Sequence, residues 1–247
     1  MNLRFQRCLK LARAVFLSLV VGLLVSGCSG GKREVLRVGI SLDPENELLY
    51  LAQQKGFFRE VGVDVRIVEF LSTSDCQRAY ARGQINAMAA SVVDLLYLRD
   101  RSHCSPQIVR VIDEVKESDA VLVKPGYVGQ SLRNQRIGVE MGSLGVYVLV
   151  RALEKEGLSL SDVKAVSMSP NAMEDAFRNG WLDAVVTYPP FSTRLLQDNL
   201  GRSIFSANDI IGEVVGVLGV ESSLVRDQKA DVMKLLKGYE RAVAFMR

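Results

Sequence analysis

Apolar positions recur along this chain in short runs, separated by polar or glycine-rich turns and by stretches with helical spacing. Val35–Ile40 (VLRVGI) is followed by a polar turn, a helical pattern from about Asn46 to Lys55 that stops at Gly56, and a second run, Val63–Phe70. Arg136–Glu140 (RIGVE) is followed by a glycine-rich turn, a helical pattern from Ser143 to Glu156 that stops at Gly157, and the run Val163–Met168. Glycine accepts the left-handed conformation that closes a helix, so the stops have a physical reason. Each half then carries an echo of the other, Arg78–Ala90 (RAYARGQINAMAA) and Asp175–Thr187 (DAFRNGWLDAVVT). Aligning Gly83 with Gly180 places Ala79, Tyr80, Ile85, Asn86 and Ala87 on Ala176, Phe177, Leu182, Asp183 and Ala184. Both halves therefore read strand, helix, strand, helix, strand. Helices between apolar runs predict a mostly parallel sheet covered by helices. The expectation is an α/β protein of two similar lobes with a cleft between them.

The remaining elements fill in this plan. Ser91–Asp100 reads as a helix, and Gln107–Asp113 and Asp119–Lys124 as strands that complete the first lobe, residues 35–124. Pro125-Gly126-Tyr127-Val128-Gly129 breaks the pattern and marks a crossover into the second lobe, residues 125–209. Residues 210–247 return to the first lobe: Val214–Val220 (VVGVLGV) as a buried strand beside Ala120–Val123, then Leu224–Met246 as a long helical stretch. The helical pattern is still running at Arg247, which reads either as a natural end or as a truncation.

The first 27 residues stand outside this fold. Arg4, Arg7, Lys10 and Arg13 make a basic start without an acid, and Ala14–Val25 is apolar apart from Ser18 and Gly22. This is the pattern of a secretory signal, shorter than the roughly 20 residues that span a bilayer. Val25-Ser26-Gly27 before Cys28 resembles a lipobox, so Cys28 is expected to carry lipid, with residues 28–34 as a linker. The formal charge of +3 owes four positives to the signal, which leaves the mature chain near −1. Without a basic patch interleaved with aromatics, nucleic acid is not an expected partner. Cys76 and Cys104 remain, and their expected positions at opposite edges of a sheet disfavour a disulfide. The single histidine, His103, next to Cys104 makes no metal-ligand spacing, and no cofactor is expected.

In parallel α/β sheets ligands bind beyond the carboxyl ends of the strands, often at helix starts. That rule selects Asp43 and Asn46 after the first strand, Ser91 after the third, Met141, Gly142 and Ser143 after the first strand of the second lobe, and Tyr188 before Pro189-Pro190. Backbone N–H groups and a hydroxyl at Gly142-Ser143 would make a socket for an anion or carboxylate, or Ser143 would be an ordinary helix cap. Ser91 has the same two readings. Asp94 and Asp119 read as solvated or structural. Gly142-Ser143-Leu144-Gly145 lacks the spacing of nucleotide-binding loops. Nothing asks for catalysis: there is no readable Ser/His/Asp arrangement and no G-x-S-x-G elbow.

Several of these stretches resemble one family in order. They are Leu51-Ala52-x-x-Lys55-Gly56-Phe57-Phe58, Ala81-x-Gly83-x-Ile85-x-Ala87, Arg136-Ile137-Gly138-Val139 with Gly142-Ser143, and Gly180-x-Leu182-Asp183-Ala184-Val185-Val186-Thr187-Tyr188-x-Pro190. The chain from about Val35 onward resembles the solute-binding proteins of bacterial ABC transporters, in the branch of nitrate-, sulfonate-, taurine- and thiamine-pyrimidine-binding proteins (NMT1/THI5-like). The resemblance implies a two-lobed, Venus-flytrap (type II periplasmic-binding-protein) fold. It further implies a protein that faces the periplasm or the outside and traps a small solute; with the lipobox-like run before Cys28, the expectation is a monomer lipid-anchored to the membrane through Cys28. That solute would be anionic or zwitterionic, would lie among Gly142, Ser143, Ser91 and Tyr188, and would pass to an ABC permease and its ATPase. Pro189 stands where members often carry an acid, so no amine contact is expected there. The alternatives are a ligand-binding sensor or accessory lipoprotein without transport, or an enzyme on the same fold. The eukaryotic enzymes that resemble this branch depend on a histidine and a Cys-rich motif; this chain has one histidine and no Cys cluster, so that reading is not favoured.

Overall fold

The strands are β1 (Leu36–Ser41), β2 (Val65–Phe70), β3 (Ala87–Ser91), β4 (Pro106–Glu114), β5 (Ala120–Val123), β6 (Arg136–Val139), β7 (Lys164–Ser167), β8 (Ala184–Thr187), β9 (Arg202–Ser206) and β10 (Val215–Glu221). The computed structural model describes residues 35–42, 44–114, 119–127 and 129–247. The expected signal segment, linker and lipidated Cys28 lie outside the described residues, as does Asp43. Within residues 35–247, a single compact unit, the strands form two five-stranded sheets. Their orders are β2-β1-β3-β10-β4 and β7-β6-β8-β5-β9.

The two orders are the same order. In each sheet the first strand pairs in parallel with the second and third, and a fourth strand inserts antiparallel next to the third. Both sheets are thus mixed, and the fold is the α/β, two-lobed architecture expected. Each inserted strand follows the other sheet's edge strand in the chain. β5 comes after β4 yet lies between β8 and β9, and β10 comes after β9 yet lies between β3 and β4.

Two expectations are corrected here. Ala120–Val123 belongs to the second sheet, not the first, so the change of sheet falls before Ala120 rather than after Lys124. Val215–Glu221 does return to the first sheet, but beside β3 and β4 rather than beside Ala120–Val123. A four-residue apolar run is equally at home in either sheet. Chain neighbours usually pair, and only long-range packing reverses that preference.

Helices α1 (Glu47–Gln54), α2 (Phe57–Glu60), α3 (Thr73–Ala81), α4 (Val92–Arg101), α5 (Leu144–Lys155), α6 (Pro170–Arg178), α7 (Phe191–Gln197), α8 (Ser222–Asp227) and α9 (Lys229–Phe245) cover the sheets. One face of the first sheet packs with α1 and α9 through Leu49, Ala52, Leu235 and Tyr239. Its other face packs with α3 and α4 through Cys76, Tyr80, Leu95 and Leu98. The second sheet lies between α5, with Val148, Leu149 and Leu153, and α6 and α7, with Phe177 and Leu195. Burial on both faces explains why central strands such as Ala120–Val123 and Val215–Glu221 are apolar without alternation.

The echo has a structural cause. The Arg37 amide donates to Asn86 Oδ1 at 2.8 Å, and the Arg136 amide donates to Asp183 Oδ2 at 2.9 Å. The Asn86 and Asp183 amides return bonds to the Arg37 and Arg136 carbonyls at 3.0 and 2.9 Å. Gly83 and Gly180, with φ of +66° and +75°, close the preceding helices in the left-handed region where a Cβ is strained. The repeated residues hold the entry of the first strand to the entry of the third, at the sheet edge away from the cleft.

Candidate functional site

The carboxyl ends of the parallel strands of both sheets face one another across a small cavity of about 40 Å³. Its lining includes Ser41, Asn46, Thr73, Ser91 and Asp94 on one side and Asp119, Ser143 and Tyr188 on the other. A chamber of this size has room for about three waters or one small functional group. A wider recess of about 470 Å³ adjoins it through the shared residues Ser41 and Asn46, and is lined further by Leu42, Pro44, Tyr50, Pro190, Glu47 and Glu69.

Four of the expected residues come together in the chamber: Asn46, Ser91, Ser143 and Tyr188 are all buried and line it. Asn46 precedes α1, and its side-chain amide donates to the Ser41 carbonyl at 3.1 Å, which holds the turn after β1. Ser143 caps α5 by accepting from the Gly145 amide at 3.2 Å. Tyr188 directly follows β8 and stacks edge-on against Phe191 with ring centres 5.9 Å apart. Met141 and Gly142 are not in the lining. Met141 is 40% exposed, and the Gly142 carbonyl accepts from Gln77 Nε2 at 3.0 Å.

Asp94 and Asp119 were not expected here. Far from being solvated, they are 4% and 7% exposed and line the chamber. Asp94 sits three residues after Ser91 in a reciprocal capping box. The Ser91 hydroxyl and amide donate to Asp94 Oδ2 at 2.6 and 3.0 Å, and the Asp94 amide donates to Ser91 Oγ at 3.1 Å. The sequence signal was present, because Ser-x-x-Asp before an apolar run is a helix-start pattern. Its other oxygen crosses the cleft, where the Leu144 amide, at the first residue of α5, donates to Asp94 Oδ1 at 2.9 Å. The helix start expected to receive a solute's anion therefore holds a carboxylate of the protein itself. Burial pushes the Asp94 carboxyl up to about 6, against the hydrogen bonds from Ser91 and Leu144, and the charge of Glu140 adds to the rise.

A second carboxylate crosses in the opposite direction. Glu140, directly after β6, is 4% exposed, and its Oε1 accepts from the Ser74 amide in the first turn of α3 at 2.6 Å. Its Oε2 is buried without a hydrogen-bond partner among the described residues. Asp119 was missed for a topological reason. It precedes an antiparallel strand, so the amino end of β5 lies at the same edge as the carboxyl end of β8, with Ala120 opposite Thr187.

Among the described residues, no lysine, arginine or histidine lines the chamber. His103 precedes β4, whose first residue, Pro106, pairs with Glu221 at the end of β10 away from the cleft. Cys76 and Cys104 are free thiols, and Cys76 packs where a Cβ on Gly39 would come within 2.6 Å of its sulfur. Among the described residues, no group of three or more His, Cys, Asp and Glu side chains is placed to hold a metal ion.

Comparison with known proteins follows this geometry. A family model described as NMT1/THI5 like matches residues 43–247, and the chain belongs to that family. A protein of Brucella abortus (strain 2308), carried under a provisional binding-protein name, is 28% identical over 151 residues, 58% of this chain and 44% of the relative. The 4-amino-5-hydroxymethyl-2-methylpyrimidine phosphate synthase THI13 of Saccharomyces cerevisiae (strain ATCC 204508 / S288c) is 26% identical over 163 residues, 65% of this chain and 47% of that protein. The chain thus spans just under half the length of the curated relatives it matches. Among solved structures, the alkanesulfonate-binding protein SsuA from Xanthomonas axonopodis pv. citri, bound to MOPS, superposes with a TM-score of 0.72 at 21% identity. That superposition covers 84% of this chain and 72% of the other, and it establishes the shared two-lobed fold.

Proposed function

We propose that this member of the NMT1/THI5-like family is a solute-binding protein of the cell envelope, lipid-anchored through Cys28. In this reading it encloses one small organic solute between its lobes and hands it to an ABC permease and its ATPase. The observation that carries the reading is the chamber at the facing sheet edges, where Asn46, Ser91, Ser143 and Tyr188 converge from both lobes. Polar groups few in number and fixed by caps and turns are what a specific small-molecule site requires. The alkanesulfonate-binding fold neighbour supports the same use of the cleft.

The lining favours a zwitterionic or cationic solute over a purely anionic one. Asp94 and Asp119 bring carboxyl groups into the lining, and no basic side chain lines it among the described residues. The chamber is too small for more than a head group, so the solute's body would extend past Ser41 and Asn46 into the wider recess beside Leu42, Tyr50 and Pro190. Asp43, two residues after Ser41 in the sequence, belongs to the proposed contact set. Met141 and Gly142 support the site from behind, through the α5 start.

Binding without chemistry is part of the reading. The lining offers hydroxyls from Ser41, Ser91 and Ser143 but, among the described residues, no histidine or lysine to act as their base. A thermal-shift screen of the full chain in mild detergent tests the whole reading, with amino acids, aminosulfonates, pyrimidines, simple sulfonates and nitrate as probes. Zwitterions or amines are expected to raise the melting temperature by mass action, and simple anions are not. A screen in which no probe shifts the melting temperature sinks solute binding. A hit that survives Ser143→Ala and Tyr188→Ala unchanged sinks the assigned site.

A further inference from the structure

We propose that Asp94 and Glu140 determine the charge selectivity of the cleft by occupying, each from the opposite lobe, the two helix starts that would otherwise take a solute's anionic group. The inference rests on the solute-binding reading above and names the residues that restrict it.

The geometry is reciprocal. Asp94, on α4 of the first lobe, accepts from the Leu144 amide at the start of the twelve-residue α5 in the second lobe. Glu140, at the end of β6 in the second lobe, accepts from the Ser74 amide in the first turn of the nine-residue α3 in the first lobe. Gln77 of α3 ties the two crossings together by donating to the Gly142 carbonyl at 3.0 Å. The first amides of a helix have no partner within it, and the aligned peptide dipoles place partial positive charge there. Such a start attracts an anion. Here both are filled by carboxylates tethered to the same molecule.

An incoming anion would have to displace a group whose effective concentration is set by the fold rather than by solution. It would also have to sit among Asp94, Asp119 and Glu140, where like charge opposes it. One crossing would read as an ordinary cap; two, in opposite directions, on helices that meet at one cleft, make a filter.

The filter is tested by giving the seat back. The full chain in mild detergent, as wild type, Asp94→Ala, Asp94→Asn and Glu140→Ala, is melted with and without sodium formate at constant ionic strength. Asp94→Ala opens a carboxylate-sized space at the Leu144 amide, and formate is expected to raise its melting temperature by about 5 °C. Wild type and Asp94→Asn, whose amide still fills the seat, are expected to show no formate response. Glu140→Ala carries the same test at Ser74 and serves if Asp94→Ala does not fold. A formate response in wild type equal to that of the alanine variants overturns the proposal, as does its absence in folded variants. The assay contains no transported solute. An empty solute screen with a formate response in the alanine variants would therefore sink the functional reading while leaving the occupied helix starts intact, and a solute hit without that response would sink the filter alone.

Discussion

The two lobes are built alike at their far edges and differently at the edges that face each other. Away from the cleft, Arg37 with Asn86 and Arg136 with Asp183 make the same backbone bonds in the same register. Gly39 and Gly138 face Ile85 and Leu182, each two residues before its sheet's third strand, so closely that a Cβ on either would overlap them. At the cleft the likeness ends. β3 runs into Ser91 and the capping box with Asp94, whereas β8 runs into Thr187, Tyr188 and two prolines. The first lobe sends a carboxylate across from a helix and the second sends one from a strand end. Residues that close the fold repeat because both sheets face the same packing problem. Residues that face the cavity differ because the two walls of one site do different work.

The largest effect should come from the shared packing. Gly39→Val and Gly138→Val force a side chain into Ile85 and Leu182, which overpacks a filled core and costs about 3 kcal/mol or more. Urea unfolding should show comparable losses in both lobes, relieved in part by Ile85→Ala and Leu182→Ala. A neutral result at one glycine would break the likeness.

The next effect belongs to the cleft wall alone. Burial raises the Asp94 carboxyl to about 6 from the ordinary 3.8. A folded state that holds its proton more tightly than the unfolded chain gains stability as pH falls. This contribution to stability, followed by melting temperature, should therefore grow as pH falls from about 7 through the folded value and be complete below about pH 4, reaching on the order of 3 kcal/mol at most. Asp94→Asn should abolish that slope; an unchanged slope would assign it elsewhere.

A smaller effect separates the two copies of the far-edge lock. Asn86→Ala removes the partner of the Arg37 amide and should cost about 1 kcal/mol. Asp183 performs the same task but titrates, and hydrogen bonding to Arg136 holds its carboxyl below the usual range. Its contribution is full above the ordinary carboxylate value of 3.8 and is lost as pH falls through the lower folded value. Acid should loosen the second lobe's lock and leave that of Asn86 intact. Hydrogen exchange at the Arg136 amide, compared with the Arg37 amide on acidification and corrected for intrinsic rates, would show the difference, and Asp183→Asn should remove it.

Much of the site was legible because it obeys local rules. Asn46, Ser91, Ser143 and Tyr188 follow strands in the expected order, and helix starts gather there in any parallel sheet. Asp94 was legible only as a cap, since the sequence pattern carries its bond to Ser91 but not its bond to Leu144. Asp119 and Glu140 were hidden for a related reason. Asp119 reaches the cleft edge because β5 runs backwards in its sheet, and Glu140 matters because α3 of the other lobe faces it.

The sequence by itself determined the elements, their repeated order and the residues that lock each sheet's far edge. Those depend on periodicity, on glycines where the backbone turns left-handed, and on hydrogen bonds between strand entries that recur in both halves. Only the tertiary structure decided which sheet receives β5 and β10, and so which carboxylates meet which helix starts. Strand exchange and cleft closure are long-range choices: an apolar strand pairs equally well in either sheet, and a charge finds its partner only when the lobes come together.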